Sequence, residues 1–110
     1  QMIRALKQYG FYTLEPFRVL KKEAEPYVSY HYNVGDGWLI GAEIVGHILH
    51  DCSKVAAVQP FGCMPNHTCG RGLYPFLQRK LPQGQIVSAD VDSSGSRLNV
   101  YNRIRMLVDL

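Results

Sequence analysis

The sequence lacks a long apolar run: no stretch approaches the roughly 20 apolar residues that are needed to cross a bilayer. It also lacks a basic stripe with interleaved aromatic residues, because its 12 Lys and Arg residues are scattered along the chain. A Walker loop, a nucleophile elbow and an HExxH motif are all missing. These absences predict no membrane partner, no nucleic-acid partner and no self-contained enzyme.

Cysteine is scarce, and the three cysteines make an odd number that is not typical of a secreted disulfide scaffold. We therefore expect a reducing, cytoplasmic setting, in which a thiol is free, metal-bound or redox-active. Cys52 falls at the end of a predicted helix and is expected to be structural. Cys63 and Cys69 fall in one loop, where they need a separate interpretation.

The sequence does contain enough apolar material for one core, since 46% of its 110 residues are hydrophobic. It opens at Gln1 without an initiator methionine and ends close behind the apolar residues Leu107 and Val108. Both ends therefore look like boundaries inside a longer polypeptide. We expect residues 1–110 to form a single α/β domain that is a fragment of a larger multidomain protein.

Helical and extended patterns alternate along the chain. Residues 1–34 are expected to be a helical and irregular lead-in, with an extended stretch over 28–34. Residues 35–110 are expected to form, in order, a helix over 38–50, a strand over 54–59 that is buried on both faces, a loop, a helix over 73–81, a strand over 85–90 and a last helix. The inward side of the last helix is predicted from its apolar spacing to be Leu98, Tyr101, Ile104, Leu107 and Val108.

This alternation is typical of a parallel sheet wrapped by helices. The expected fold is a Rossmann-like or flavodoxin-like partial three-layer α/β domain, in which helices flank a short parallel sheet. A right-handed crossover would bring both strand C-termini to one edge of the sheet, where open α/β sheets bind ligands. The loops expected at that edge are 60–72 and 91–95.

The loop from Gln59 to Gly72 concentrates the residues that could carry chemistry. Its prolines and glycines restrain the backbone, and it presents Cys63, His67 and Cys69. Cys63 could be one thiolate ligand of an iron–sulfur cluster whose other ligands lie elsewhere. All three side chains could instead bind zinc, or the two cysteines could form a redox pair. The fourth interpretation is a rigid turn whose cysteines are small, half-buried residues.

Two carboxylates, Asp90 and Asp92, end the second predicted strand. An acidic residue at such a position can hold a ribose, but the glycine fingerprint that accompanies this role is absent. We therefore expect both to be solvated turn carboxylates, with Asp92 or Ser93 capping the last helix.

Three stretches of the chain form a recognisable pattern: Gly37-Trp38-Leu39-Ile40, the run from Gln59 to His67 with Gly70-Arg71-Gly72, and Asp90-Val91-Asp92 through Asn99, Asn102, Arg103 and Ile104. Together they resemble the 2-hydroxyacyl-CoA dehydratase and activase-related proteins, and more narrowly a C-terminal segment of their large fused members. The three stretches fall within 35–107, and the run Gln-Pro-Phe-Gly-Cys is the most specific part.

The resemblance implies a parent protein with two parts. One is an ATP-hydrolysing activase that carries a [4Fe-4S] cluster and delivers a low-potential electron. The other is dehydratase-like and consists of Rossmann-like domains around iron–sulfur clusters held by cysteines; the present chain is similar to this second part. The parent would be a low-potential reductase or dehydratase, or an ATP-dependent activase.

On this basis Cys63 is expected to be a cluster ligand, with the backbone of Gly62 and Pro65 shaping the approach of the cluster. The partners would be the other domains of the parent chain, and the isolated fragment would bind no cluster and would be inactive. The second hypothesis is a non-catalytic scaffold or docking domain of the same multidomain protein.

Overall fold

The computed structural model describes residues 1–109 except Tyr12, Leu14 and Ser94; Ser94 belongs to the predicted loop 91–95, so that part of the loop lies outside the described residues. The helices are α1 (Met2–Gln8), α2 (Phe17–Ala24), α3 (Gly37–Leu49), α4 (Tyr74–Lys80) and α5 (Arg97–Asp109). The strands are β1 (Lys54–Pro60) and β2 (Gln85–Val91), and a π-helical turn spans Asn66–Arg71. None of the described helices has the length and apolar character to span a membrane.

The two strands pair in parallel, with a register that runs from Lys54 opposite Gln85 to Pro60 opposite Val91. The predicted α/β class and the predicted parallel pairing are therefore confirmed. Because the strands run in the same direction and in step, both end at the same edge of the sheet. We call this edge, where Pro60 and Val91 end the strands, the C-terminal edge.

The main core lies between α2, α3, α4 and one face of the sheet. Val55 and Ile86 are partners in the register and both project into this core. Helices α2 and α3 approach each other closely at Gly46, where an added Cβ atom would lie only 2.8 Å from Leu20 Cδ1. The low helix propensity of glycine is thus offset at this position by close packing of the two helices.

Helix α5 packs mainly on β2, on the face opposite the main core. Ala89 and Leu107 are buried but do not belong to the main core cluster. Two hydrogen bonds to backbone oxygens hold the helix to the sheet. Lys54 Nζ donates to Val108 O at 2.8 Å, and Arg103 Nη1 donates to Ser88 O at 3.2 Å. The protein therefore has helices on both faces of a narrow two-stranded sheet.

Several expectations about burial are wrong. Of the residues predicted to face inward on α5, only Leu107 is buried, because two strands cannot cover the whole helix; the exposed ones are Leu98, Tyr101, Ile104 and Val108. Strand β1 is not buried on both faces: Val55 and Gln59 are buried, whereas 60% of Val58 is exposed.

Two expectations about local structure also differ from the structure. The stretch 28–34 forms turns rather than an extended segment, and the loop 60–72 is helical over Asn66–Arg71.

Candidate functional site

The residues that follow β1 turn sharply at the C-terminal edge. Phe61 N donates a hydrogen bond to Val91 O at 3.0 Å, which extends the contact between the strands by one step. Gly62 then takes a φ of 79°, in the left-handed region that favours glycine. Cys63 N donates to Pro60 O at 3.2 Å and closes the turn. The turn chemistry therefore presents Cys63 directly beyond the end of the sheet.

Cys63 is a free, half-buried thiol. Its Sγ atom accepts a hydrogen bond from Asn66 Nδ2 at 3.0 Å. Pro65 precedes the π-helical turn with helical backbone angles, and an added Cβ atom on Gly35 would lie 3.1 Å from the Cγ atom of Pro65. The side-chain amide of Asn66 is therefore directed at the sulfur of Cys63.

The structure separates the environments of the three cysteines. Cys69 is 8% exposed, and its Sγ atom lies 2.9 Å from the position that a Cβ atom on Gly37 would occupy. Cys52 follows α3 and contacts Lys54 O at the opposite end of β1. The described residues contain no disulfide, and no group of three or more His, Cys, Asp or Glu side chains among them could hold a metal ion. The zinc hypothesis for Cys63, His67 and Cys69 therefore has no support in this geometry.

Differences in thiol burial predict different alkylation rates. In the folded protein we expect Cys69 to react with a maleimide at least about tenfold more slowly than Cys63, because its sulfur is buried against α3. Mass spectrometry of peptides after timed labelling measures each rate. Cys52 is the internal control for a half-buried thiol, and labelling in urea should make the three rates similar. Equal rates for Cys63 and Cys69 in the folded chain would contradict the described packing.

A polar cluster at the C-terminal edge joins the ends of both strands to the π-helical turn. Gln59 Nε2 donates to Asp90 Oδ1 at 2.6 Å, and an Arg71 guanidinium nitrogen donates to Asp90 Oδ2 at 2.5 Å. Gln59 is only 2% exposed although its side chain is polar. The expectation that Asp90 is a solvated turn carboxylate is thus wrong, because two partners bind both of its oxygens. We call Gln59, Arg71 and Asp90 the edge cluster.

The surroundings shift the ionisation of two groups at the edge cluster. The hydrogen bond from Gln59 lowers the pKa of Asp90; partial burial opposes this effect, and the charges of Arg71 and His67 add to it. Burial raises the pKa of Tyr74, although the positive charge of Arg71 counteracts part of that increase. Asp90 is therefore an anion across the whole neutral range, and Tyr74 keeps its proton.

Two buried polar atoms of the edge cluster, Gln59 Oε1 and Arg71 Nε, have no hydrogen-bond partner among the described residues, and the same is true of the hydroxyl oxygen of the nearby Tyr74. Buried polar atoms without partners cost free energy, and they are concentrated at sites that have a function beyond packing. The π-helical turn is a second feature of this kind, since such turns are rare and frequently occur at functional sites. Both features lie at the edge where α/β sheets bind ligands.

Sequence reasoning predicted a restrained turn that presents Cys63, which the structure contains, but it missed the edge cluster. The contact between Gln59 and Asp90 could have been predicted. Each is the sixth residue of its strand, and the two strands pair from their first residues, so these two residues lie opposite each other. The contribution of Arg71 could not be found in this way, because it depends on the width of the π-helical turn. We found no match to this chain among models of protein families, curated proteins or solved structures.

Proposed function

We propose that this domain supplies one thiolate ligand, Cys63, to an iron–sulfur cluster of the [4Fe-4S] type in a larger protein related to the 2-hydroxyacyl-CoA dehydratases and their ATP-dependent activases. The observation that carries the proposal is the hydrogen bond from Asn66 Nδ2 to the half-buried Sγ atom of Cys63 at the C-terminal edge. Donors directed at ligand sulfurs are among the features that set the reduction potential of such clusters.

One cysteine fits one corner of a four-ligand cluster. Cys69 is buried against α3 and Cys52 lies at the other end of β1, so neither is a second ligand at this edge. We infer that the remaining ligands come from other domains of the parent, and that the cluster lies where those domains meet. When bound, the cluster would supply one-electron chemistry at low potential, in a parent that acts as a reductase, dehydratase or activase in the cytoplasm.

The other residues of the site have positioning roles in this proposal. Gly62 makes the turn that leads to Cys63, and Pro65 directly precedes the π-helical turn. Asp90 binds Arg71 at the end of that turn, so the segment that carries Asn66 is attached to both strands. A parallel pair with helices on both faces also supports a Rossmann-like partial domain of three layers.

The test compares the full parent polypeptide with its Cys63→Ala variant after purification without oxygen and reconstitution with iron and sulfide. We expect the variant to lose one cluster, about four iron atoms per chain, because a missing thiolate leaves one iron without its protein ligand. Iron and acid-labile sulfide per chain are measured together with the visible absorption spectrum. Cys52→Ala is the matched control and should keep its iron.

The second candidate function is a non-catalytic scaffold or docking domain of the same parent. It is favoured by the apolar residues that α5 leaves exposed, among them Leu98 at 63%, Met106 at 61% and Val108 at 64%. Residues of this kind form the centres of domain interfaces. Unchanged iron in a folded Cys63→Ala variant would exclude the ligand role and leave this second function in its place.

A further inference from the structure

A groove of about 600 Å³ lies between α2 and the turns that follow it, on a different part of the molecule from Cys63. Its lining combines basic side chains (Arg18, Lys21, Lys22 and His31) with aromatic ones (Tyr27, Tyr30 and Trp38). The volume is within the range of small-molecule sites in proteins. This combination was not expected from the sequence, which indicated only scattered basic residues on helix surfaces.

The charged side chains that line this groove, which we call the α2 groove, are mostly basic. Arg18, Lys21 and Lys22 are three and four residues apart on α2, so they share one face of the helix. Among the described residues that line the groove, only Glu25 is acidic. The ion pairs among the described residues lie elsewhere, so none of these three cations forms a salt bridge with a described carboxylate. Cations at this spacing repel one another, and a bound anion would relieve that repulsion.

The aromatic part of the groove is held in a defined orientation. Lys21 Nζ lies 4.0 Å from the centre of the Tyr30 ring, in a cation–π contact. Trp38 packs edge to face with the same ring, at a centroid distance of 5.2 Å, and is itself 6% exposed. Tyr30 is 51% exposed, so it keeps a surface on which a planar group can pack. The ring is thus oriented by its neighbours and remains accessible.

We propose that the α2 groove binds a nucleotide. Its phosphates would contact Arg18, Lys21 and Lys22, and its base would pack against Tyr30. A compact ligand that has both a polyanionic end and a planar end matches the two parts of the lining. The proposal does not depend on the cluster-ligand role of Cys63, because neither Cys63 nor any residue of the edge cluster lines this groove.

The single tryptophan of the chain, Trp38, lines the groove and provides the readout. Titration of the purified full chain with ADP is expected to change its fluorescence in a saturable way. Lys21→Met should weaken binding by about tenfold, since it removes a phosphate contact and the cation that orients Tyr30. Lys80→Met is the matched control: Lys80 makes a cation–π contact with Phe76 at 5.9 Å, outside the groove, so its removal should leave the affinity unchanged.

Tyr30→Leu separates the two parts of the proposal. It should lower the affinity for ADP by about tenfold but leave the affinity for inorganic pyrophosphate unchanged, because only the base packs on the ring. Circular dichroism spectra of all variants verify that they are folded. Equal affinities of the wild-type chain for ADP and pyrophosphate would overturn the proposal. So would the absence of a saturable response to ADP, or binding of a single-stranded oligonucleotide that ADP does not displace.

Discussion

The Leu77→Ala variant is expected to lose about 2–5 kcal/mol of its free energy of unfolding. Leu77 is completely buried and belongs to the core cluster between α4, α3 and the sheet. Truncation removes apolar contacts and leaves a cavity that the surrounding helices fill only in part. The free energy of unfolding of a natural domain is about 5–15 kcal/mol, so this loss is a large fraction of the total.

Urea denaturation followed by circular dichroism measures this loss. Leu98→Ala is the control, because it makes the same chemical change in α5 at a side chain that is 63% exposed. Its effect should stay within about 0.5 kcal/mol. Similar losses in the two variants would show that α4 does not form the centre of the core.

The Asp90→Asn variant is expected to lose about 1–3 kcal/mol near neutral pH. An amide at this position keeps one acceptor oxygen but turns its NH2 group towards either Gln59 Nε2 or the Arg71 guanidinium, both of which are donors. The guanidinium is then a partly buried charge without its anion, and its Nε atom already has no partner among the described residues. The end of the π-helical turn would also lose its attachment to β2.

This loss should depend on pH. The pKa of Asp90 is lowered from its usual value in the folded protein, chiefly by the hydrogen bond from Gln59. The carboxylate therefore contributes its full stabilisation above the pKa of the unfolded chain, and this contribution disappears as the pH falls through the lower folded-state pKa. The stability difference between wild type and Asp90→Asn should be largest near neutral pH and should shrink as the pH falls below the usual pKa of an aspartate side chain.

Denaturation curves at neutral and acidic pH measure both effects. Asp109→Asn is the matched control, since Asp109 pairs with Arg105 on α5 in a largely exposed ion pair. Exposed pairs of this kind contribute about 0.3–0.5 kcal/mol. A difference between wild type and Asp90→Asn that stays constant with pH would contradict the role of the ionised carboxylate in the edge cluster.

The chemistry of the edge cluster and the proposed role of Cys63 meet in the π-helical turn. Asn66, at its first residue, donates to the sulfur of Cys63, and Arg71, at its last residue, is bound by Asp90. A change at Asp90 can therefore alter the position of the donor to Cys63 without any contact with the sulfur itself. Under the proposed function, this effect would be detected in the parent protein as a changed cluster potential at unchanged iron content.

The order of helices and strands could be predicted from local patterns alone. Apolar spacing and turn residues such as Gly62 act over a few positions, so they identified both strands, α3 and the turn that leads to Cys63. Parallel pairing followed from the alternation of the elements, because a strand that returns through a helix runs in its original direction.

Tertiary structure alone decided which side chains meet and which stay exposed. Gln59 and Asp90 are 31 positions apart, and only the register of the sheet brings them together with Arg71. The α2 groove likewise depends on the turns that place Tyr30 beside Lys21. The exposure of α5 is set by the width of the sheet, which two strands limit, and no spacing within the helix carries that information. Periodicity records which face of an element is apolar, whereas packing determines whether anything covers that face.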